Sequence, residues 1–75
     1  MRISIDRMKY NQEGVFVGIN NELRLHLAGM GLRAGKKIKM ITREPLKGPV
    51  VIQVDHASIS LGIGIADKLI VEVDE

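Results

Sequence analysis

With 75 residues and a formal net charge of +2, the chain is long enough for one small domain but not for a deep catalytic pocket under a lid. It contains no cysteine, which excludes a disulfide framework and a thiolate zinc site. Aliphatic side chains must supply the core, because 45% of the residues are hydrophobic and only 3% are aromatic.

Alternating and β-branched segments predict a β-rich chain. After a short strand or extended lead-in at residues 3–5, strands are expected at residues 15–19, 36–42, 50–54, 58–61 and 69–73. The pattern is clearest over residues 36–42, where apolar Ile38 and Met40 alternate with lysines. We expect a hairpin turn at residues 55–56 and one irregular helical turn within residues 62–68.

One short helix is expected between the first long strand and residue 36. It covers residues 22–28, follows two asparagines that suit an N-cap, and ends at a glycine. Leu23, Leu27 and Met30 recur at helical spacing and predict its buried face. Leu25 lies off that face, so we expect it to be partly exposed.

These elements predict an all-β fold, a five-stranded SH3-like barrel with one short helix, as a single domain over residues 1–75. A small closed or nearly closed barrel buries one face of each strand and leaves few exposed edges. An OB-like barrel of similar size is the alternative, and the position of the helix favours the SH3-like one. A remaining strand edge is compatible with a homodimer.

The glycine-rich segment at residues 29–37 does not fit a nucleotide-binding loop. Gly31 and Gly35 have three residues between them instead of four, and Lys37 replaces the Ser or Thr that would hold magnesium. There is no Cys nucleophile, and residue positions suggest no Ser-His-acid set. We therefore expect no enzymatic activity.

Two histidines and a glutamate are the candidate metal ligands. His26 follows Glu22 by four residues on the predicted helix, so both side chains can face one ion, which would be Fe²⁺ or Zn²⁺. His56 lies at a turn and joins them only if the fold brings the turn close. Surface histidines are usually just solvated, so we expect that the chain requires no cofactor.

Basic residues near the glycine-rich segment are candidates for phosphate contacts; they are Arg33, Lys36, Lys37, Lys39 and Lys47. Single-strand binders usually also present aromatic stacking platforms. This chain has only Tyr10 and Phe16, and we expect Phe16 in the core. A solvated strand face explains the lysines equally well, so nucleic acid is not the expected partner, and a nucleic-acid-binding small barrel stays an alternative function.

The chain has no segment that suits a membrane span or a signal peptide. Its longest uncharged apolar-rich run, residues 57–66, is well short of the roughly 20 residues that a spanning helix needs. No long apolar stretch follows the first charge at Arg2. We expect a cytoplasmic protein that reaches a membrane only through a partner.

A series of motifs, in a fixed order, resembles one known family. Residues 13–19 resemble its opening turn and strand, residues 23–35 its helix and Leu-Gly-Leu-x-x-Gly junction, and residues 45–50 its Gly-Pro loop. The segments at residues 36–41 and 59–71 resemble the strands that follow. Over residues 8–73 the chain thus resembles the ferrous iron transport protein A (FeoA) family. The chain departs from the family pattern at three places. Met30 lies where leucine is more common, and the other two are residues 55–56 and 62–65.

The resemblance implies a small prokaryotic protein that supports ferrous iron uptake by binding the membrane iron transporter with a cytoplasmic GTPase domain. An alternative it implies is a metal-sensing regulatory module, like the C-terminal barrel of metal-dependent repressors. We expect Leu25, Met30, Leu32 and Arg33 to bind the partner. The competing interpretation is that Met30 and Leu32 only close one end of the barrel.

Overall fold

The computed structural model describes residues 1–18, 23–43 and 48–74. Within these ranges six strands form one antiparallel sheet. The strands are β1 (Arg2–Ser4), β2 (Glu13–Gly18), β3 (Lys37–Arg43), β4 (Val50–Val54), β5 (Ala57–Leu61) and β6 (Ile70–Glu72). The helical elements are α1 (Leu23–Gly29), α2 (Ile63–Ala66) and a 3₁₀ turn at Ile5–Arg7.

The sheet has the strand order β1-β6-β2-β3-β4-β5, and it curls around a single core as a small SH3-like barrel. The expected fold class is therefore confirmed, but the expected strand number of five was too low. The extra strand is β1, which forms because Ile3 lies opposite Val71 in β6 and the chain ends meet there. Between β1 and β5 the described sheet is not closed.

An aliphatic core fills the concave side of the sheet. Side chains alternate between the two faces of a strand, and this alternation places every second residue in the core. In β4, Val50, Ile52 and Val54 are buried, while the residues between them are only half-buried. Apart from Gly14 in β2, every buried residue of the described ranges is hydrophobic. The buried hydrophobic residues are Ile5, Met8, Phe16, Leu27, Leu32, Ile38, Met40, Val50, Ile52, Val54, Ile59, Leu61, Ala66, Leu69, Val71 and Val73.

Exposed ion pairs lie where distant parts of the chain meet. The Met1 amino group and Arg2 both contact Glu72, and the hydrogen bond from the amino group lowers the pKa of this carboxyl. Lys36 Nζ lies 2.9 Å from Asp55 Oδ2. Such pairs contribute little to stability because water screens them. None of the helices in the described ranges has the length and apolar character to cross a membrane.

Candidate functional site

The C-terminal end of α1 reverses the chain through a Schellman motif. The Leu32 N–H donates to the Leu27 carbonyl at 2.9 Å, and the Gly31 N–H donates to the Ala28 carbonyl at 3.0 Å. Gly31 takes the left-handed conformation, with φ of 96°, that this reversal requires. As a result Leu32 returns to the core, where it and Leu27 are each only 1% exposed.

Backbone hydrogen bonds hold the segment after α1 against β2. The Gly35 N–H donates to the Phe16 carbonyl at 2.7 Å, and the Phe16 N–H donates to the Lys36 carbonyl at 2.8 Å. The end of β2, the helix α1 and residues 32–34 therefore lie side by side. They surround an open depression, which we call the α1 cavity.

The α1 cavity has a volume of about 550 Å³ and an apolar floor with a charged rim. Three buried side chains of the core, Phe16, Leu27 and Leu32, line its floor. Exposed side chains line its rim; they are Arg24, Leu25, Arg33 and Ala34. A depression that combines apolar and charged groups is typical of a binding site, so the α1 cavity is the candidate functional site of the described residues.

Leu25 is the most exposed large hydrophobic side chain in the described ranges, with 77% of its surface accessible. The expectation that it lies off the buried face of the helix is confirmed. Met30 is 40% exposed, so it does not continue the buried face of Leu27 as the helical spacing suggested. The reason is that α1 ends at Gly29, and the chain has left the helical path at Met30.

The rim of the α1 cavity is positively charged. Arg24 and Arg33 form none of the ion pairs found among residues 1–18, 23–43 and 48–74. No acidic residue from those ranges lines the cavity. Two guanidinium groups thus border an apolar floor, and none of the described carboxylates neutralises them.

The structure brings together three of the four residues predicted to bind a partner. Leu25, Leu32 and Arg33 all line the α1 cavity, although Leu32 does so from its buried floor. Met30 is not among the lining residues and lies just past the end of the same helix. Sequence reasoning missed Arg24 and Phe16, and the one available signal was that Arg24 adjoins Leu25 on the predicted helix.

The candidate metal ligands are not assembled by the described part of the chain. His26 is exposed on α1, and His56 is exposed at the turn between β4 and β5. Glu22 lies outside the described residues. Among the residues that are described, no three His, Asp or Glu side chains come close enough to hold an ion. Those residues alone do not fit a metal, and the pairing of His26 with Glu22 stays a prediction.

The predicted basic stripe is partly neutralised. Lys36 pairs with Asp55, and Lys37 and Lys39 border a shallow pocket whose lining also includes Glu13. Lys47 lies outside the described residues. Tyr10 is 72% exposed, which leaves it as a single aromatic platform, because Phe16 is buried as expected.

Comparison with known proteins gives one family and a consistent fold. The family model described as FeoA domain matches residues 3–73, a range that contains the whole α1 cavity. No curated protein sequence matches the chain. A crystal structure of an iron uptake regulatory protein (FeoA) is 30% identical, with a TM-score of 0.84, and the match covers 96% of each chain.

Two further solved structures share the fold. FeoA of Stenotrophomonas maltophilia, an SH3 domain protein complexed with zinc, has a TM-score of 0.78 at 18% identity, covering 93% of this chain and 89% of its own. IdeR of T. acidophilum has a TM-score of 0.81 at 28% identity, covering 97% of this chain but 34% of its own. The likeness to IdeR is therefore to one part of a larger protein.

Proposed function

The chain belongs to the FeoA family and so has a role in ferrous iron transport, and we propose that it fulfils this role by binding the cytoplasmic GTPase domain of the membrane iron transporter. Fe²⁺ is the transporter's cargo in this proposal. The chain itself catalyses no reaction and needs no bound cofactor. It works as a single domain in the cytoplasm and reaches the membrane through its partner.

The observation that carries this proposal is the exposure of Leu25 beside the α1 cavity. A leucine that is 77% exposed keeps most of its apolar surface in contact with water. Burying such a side chain at an interface contributes about 1.5–3 kcal/mol. The residues that contribute most to a protein–protein interface lie in well-packed pockets from which water is excluded, and arginine is common among them.

The four residues expected to bind the partner have different parts in the proposal. Leu25 is the exposed anchor, and Arg33 provides a charge at the rim. Leu32 is buried at the floor of the α1 cavity, so it defines the shape of the cavity and does not offer an exposed side chain to the partner. Met30, at 40% exposure, extends the apolar surface past the end of α1.

The test is a binding titration of the purified chain against the GTPase domain of the transporter from the same organism, with and without guanine nucleotide. We expect saturable binding that Leu25→Glu weakens at least about tenfold, since this change removes an apolar anchor and adds an acid. Tyr10→Glu is the matched control, because Tyr10 is 72% exposed but does not line the cavity. Equal weakening by both variants, or no binding by the wild-type chain, would contradict the proposal.

A second candidate function is that of a metal-responsive regulatory module. It is favoured by the fold shared with part of a manganese-dependent transcriptional repressor, whose structure has a TM-score of 0.85 at 16% identity over 97% of this chain and 42% of its own. Calorimetric titration of the isolated chain with Fe²⁺ under anaerobic conditions, and with Zn²⁺, separates the two candidates. Tight stoichiometric binding that His26→Ala abolishes would support the second function, and no binding of either ion would leave the first.

A further inference from the structure

We infer that the α1 cavity takes an acidic, aliphatic segment of the partner protein, with an apolar side chain on the floor and carboxylates on the two rim arginines. The inference rests on the proposed function and deepens it, because it gives the chemistry of the segment that the transporter must present. Three features of the cavity support it: its size, its charge and its shape.

The size and floor of the cavity suit one or two aliphatic side chains. Its volume of about 550 Å³ lies within the range of roughly 300–1,000 Å³ typical of ligand sites. Phe16, Leu27 and Leu32 offer no polar side-chain group to a ligand that reaches the floor. A buried polar group of the ligand would therefore be left without a partner, which is costly. The floor selects an apolar side chain such as that of leucine or isoleucine.

The charge of the rim favours carboxylates in the occupant. Arg24 lies on α1 and Arg33 lies in the segment after it, so the two guanidinium groups border the opening from different elements. Neither makes an ion pair within the described part of the chain. Guanidinium groups bind carboxylates through two parallel hydrogen bonds. A segment with acids on either side of an aliphatic residue would satisfy both arginines.

The shape of the surface favours a protein segment over a membrane. Recognition of anionic lipid usually needs a cluster of about 4–8 basic residues. Here two arginines border a depression, and α1 carries no further lysine or arginine between Leu23 and Gly29. A concave site with two fixed charges suits a single inserted segment, as when an amphipathic helix docks in a groove.

The test compares two charge-reversed variants that have the same net charge. The double variant Arg24→Glu/Arg33→Glu reverses the rim, and Lys37→Glu/Lys68→Glu reverses two exposed lysines that do not line the cavity. In titrations against the GTPase domain we expect the rim variant to bind at least about tenfold more weakly, and the control within about twofold of wild type. If the GTPase domain binds and both variants behave alike, the inference is wrong while the proposed function stands.

A peptide experiment separates failure of the inference from failure of the proposed function. The probe is a fluorescein-labelled peptide of alternating leucine and glutamate blocks, with a leucine–lysine peptide of the same pattern as its control. We expect the fluorescence anisotropy of the acidic peptide to rise when the wild-type chain is added, and that of the leucine–lysine peptide to stay unchanged. Addition of the rim variant should produce no rise with either peptide. If the GTPase domain does not bind but the acidic peptide does, the proposed function fails and the inference stands. If neither peptide binds, or if vesicles with phosphatidylserine bind the chain in preference to the acidic peptide, the inference is overturned.

Discussion

The two ends of β2 differ in how closely neighbouring residues pack against them. At Gly14 the strand is packed so closely that an added Cβ would lie 2.8 Å from Val73 Cγ1 and 2.9 Å from the Glu72 carbonyl oxygen. At Phe16 and Gly18, a few residues later, the same strand borders the α1 cavity. The same strand is therefore packed to contact distance at one end and borders an open depression beside an exposed leucine at the other.

The surfaces of the two regions differ in the same way. The sheet of β3, β4 and β5 presents polar residues such as Lys39, Gln53 and Ser58, which pair side by side across the strands. The cavity end instead presents Leu25 and Met30 to water. Water solvates the first surface well and the second poorly. The difference teaches that the close-packed sheet is suited to stability, whereas the cavity end carries the apolar surface that the proposed function assigns to binding.

The largest expected effect is on the close-packed region. Ile52 is completely buried in β4, so Ile52→Ala should lower the free energy of unfolding by about 2–5 kcal/mol. A domain of this size has only a few kcal/mol in total, so much of the variant should be unfolded. Urea denaturation measures the loss. Ser60→Ala on the exposed face of β5 is the control and should change stability by less than about 0.5 kcal/mol.

The next effect tests the tight end of β2. Gly14→Ala places a methyl group against backbone as well as a side chain, so we expect a loss of about 1–3 kcal/mol in thermal or chemical unfolding. Gly64→Ala is the matched control, because a Cβ there would meet nothing within 4 Å. If both variants were equally stable, β2 and β6 would not pack as closely as described.

A smaller effect is expected where α1 turns back towards the core. Gly31→Ala forces a side chain into the left-handed region and should cost about 1–2 kcal/mol in unfolding free energy. Gly29→Ala lies two residues earlier in the last turn of α1, has free space for a Cβ, and should be neutral or stabilising by up to about 1 kcal/mol. A lower free energy of unfolding for Gly31→Ala, with an unchanged or higher one for Gly29→Ala, would support the Schellman motif. An equal loss in both variants would contradict it.

The smallest effect on stability is expected at the exposed anchor. Leu25→Glu should change the melting temperature by no more than an ordinary surface substitution, equivalent to less than about 0.5 kcal/mol. Differential scanning calorimetry of the variant checks this. A large drop would show that Leu25 supports the core, and weaker partner binding by the variant would then have no bearing on the interface.

The strands could be predicted where one residue in two is apolar and inward-facing. Ile38 and Met40 in β3 alternate with lysines, and both are buried as expected. β1 is only three residues long, and it becomes a strand through its pairing with β6 at the far end of the chain. The alternation at residues 3–5 left open a short strand or an extended lead-in, and only the long-range contact with β6, which no local pattern carries, makes it a strand.

The binding surface could be predicted in part. Leu25 was recognisable because it falls outside the helical spacing of Leu23 and Leu27, which reflects a local property of the helix. The opposite exposures of Met30 and Leu32 depend on the hydrogen bonds that end α1, and a residue count does not give these. The cavity itself depends on how β2 packs against the segment after α1. This is a tertiary contact, and it produces no periodic pattern in the sequence.

Nuclear magnetic resonance mapping of the complex tests the central claim most directly. The ¹⁵N-labelled chain is titrated with the GTPase domain of its transporter, and the amide signals that shift or broaden are assigned. We expect the largest changes at Gly18, Leu25 and Arg33, which border the α1 cavity. Changes concentrated at Lys39, Gln53 and Ser60, with the cavity signals unmoved, would show that the partner binds the sheet and would contradict the assignment of the cavity as the binding surface.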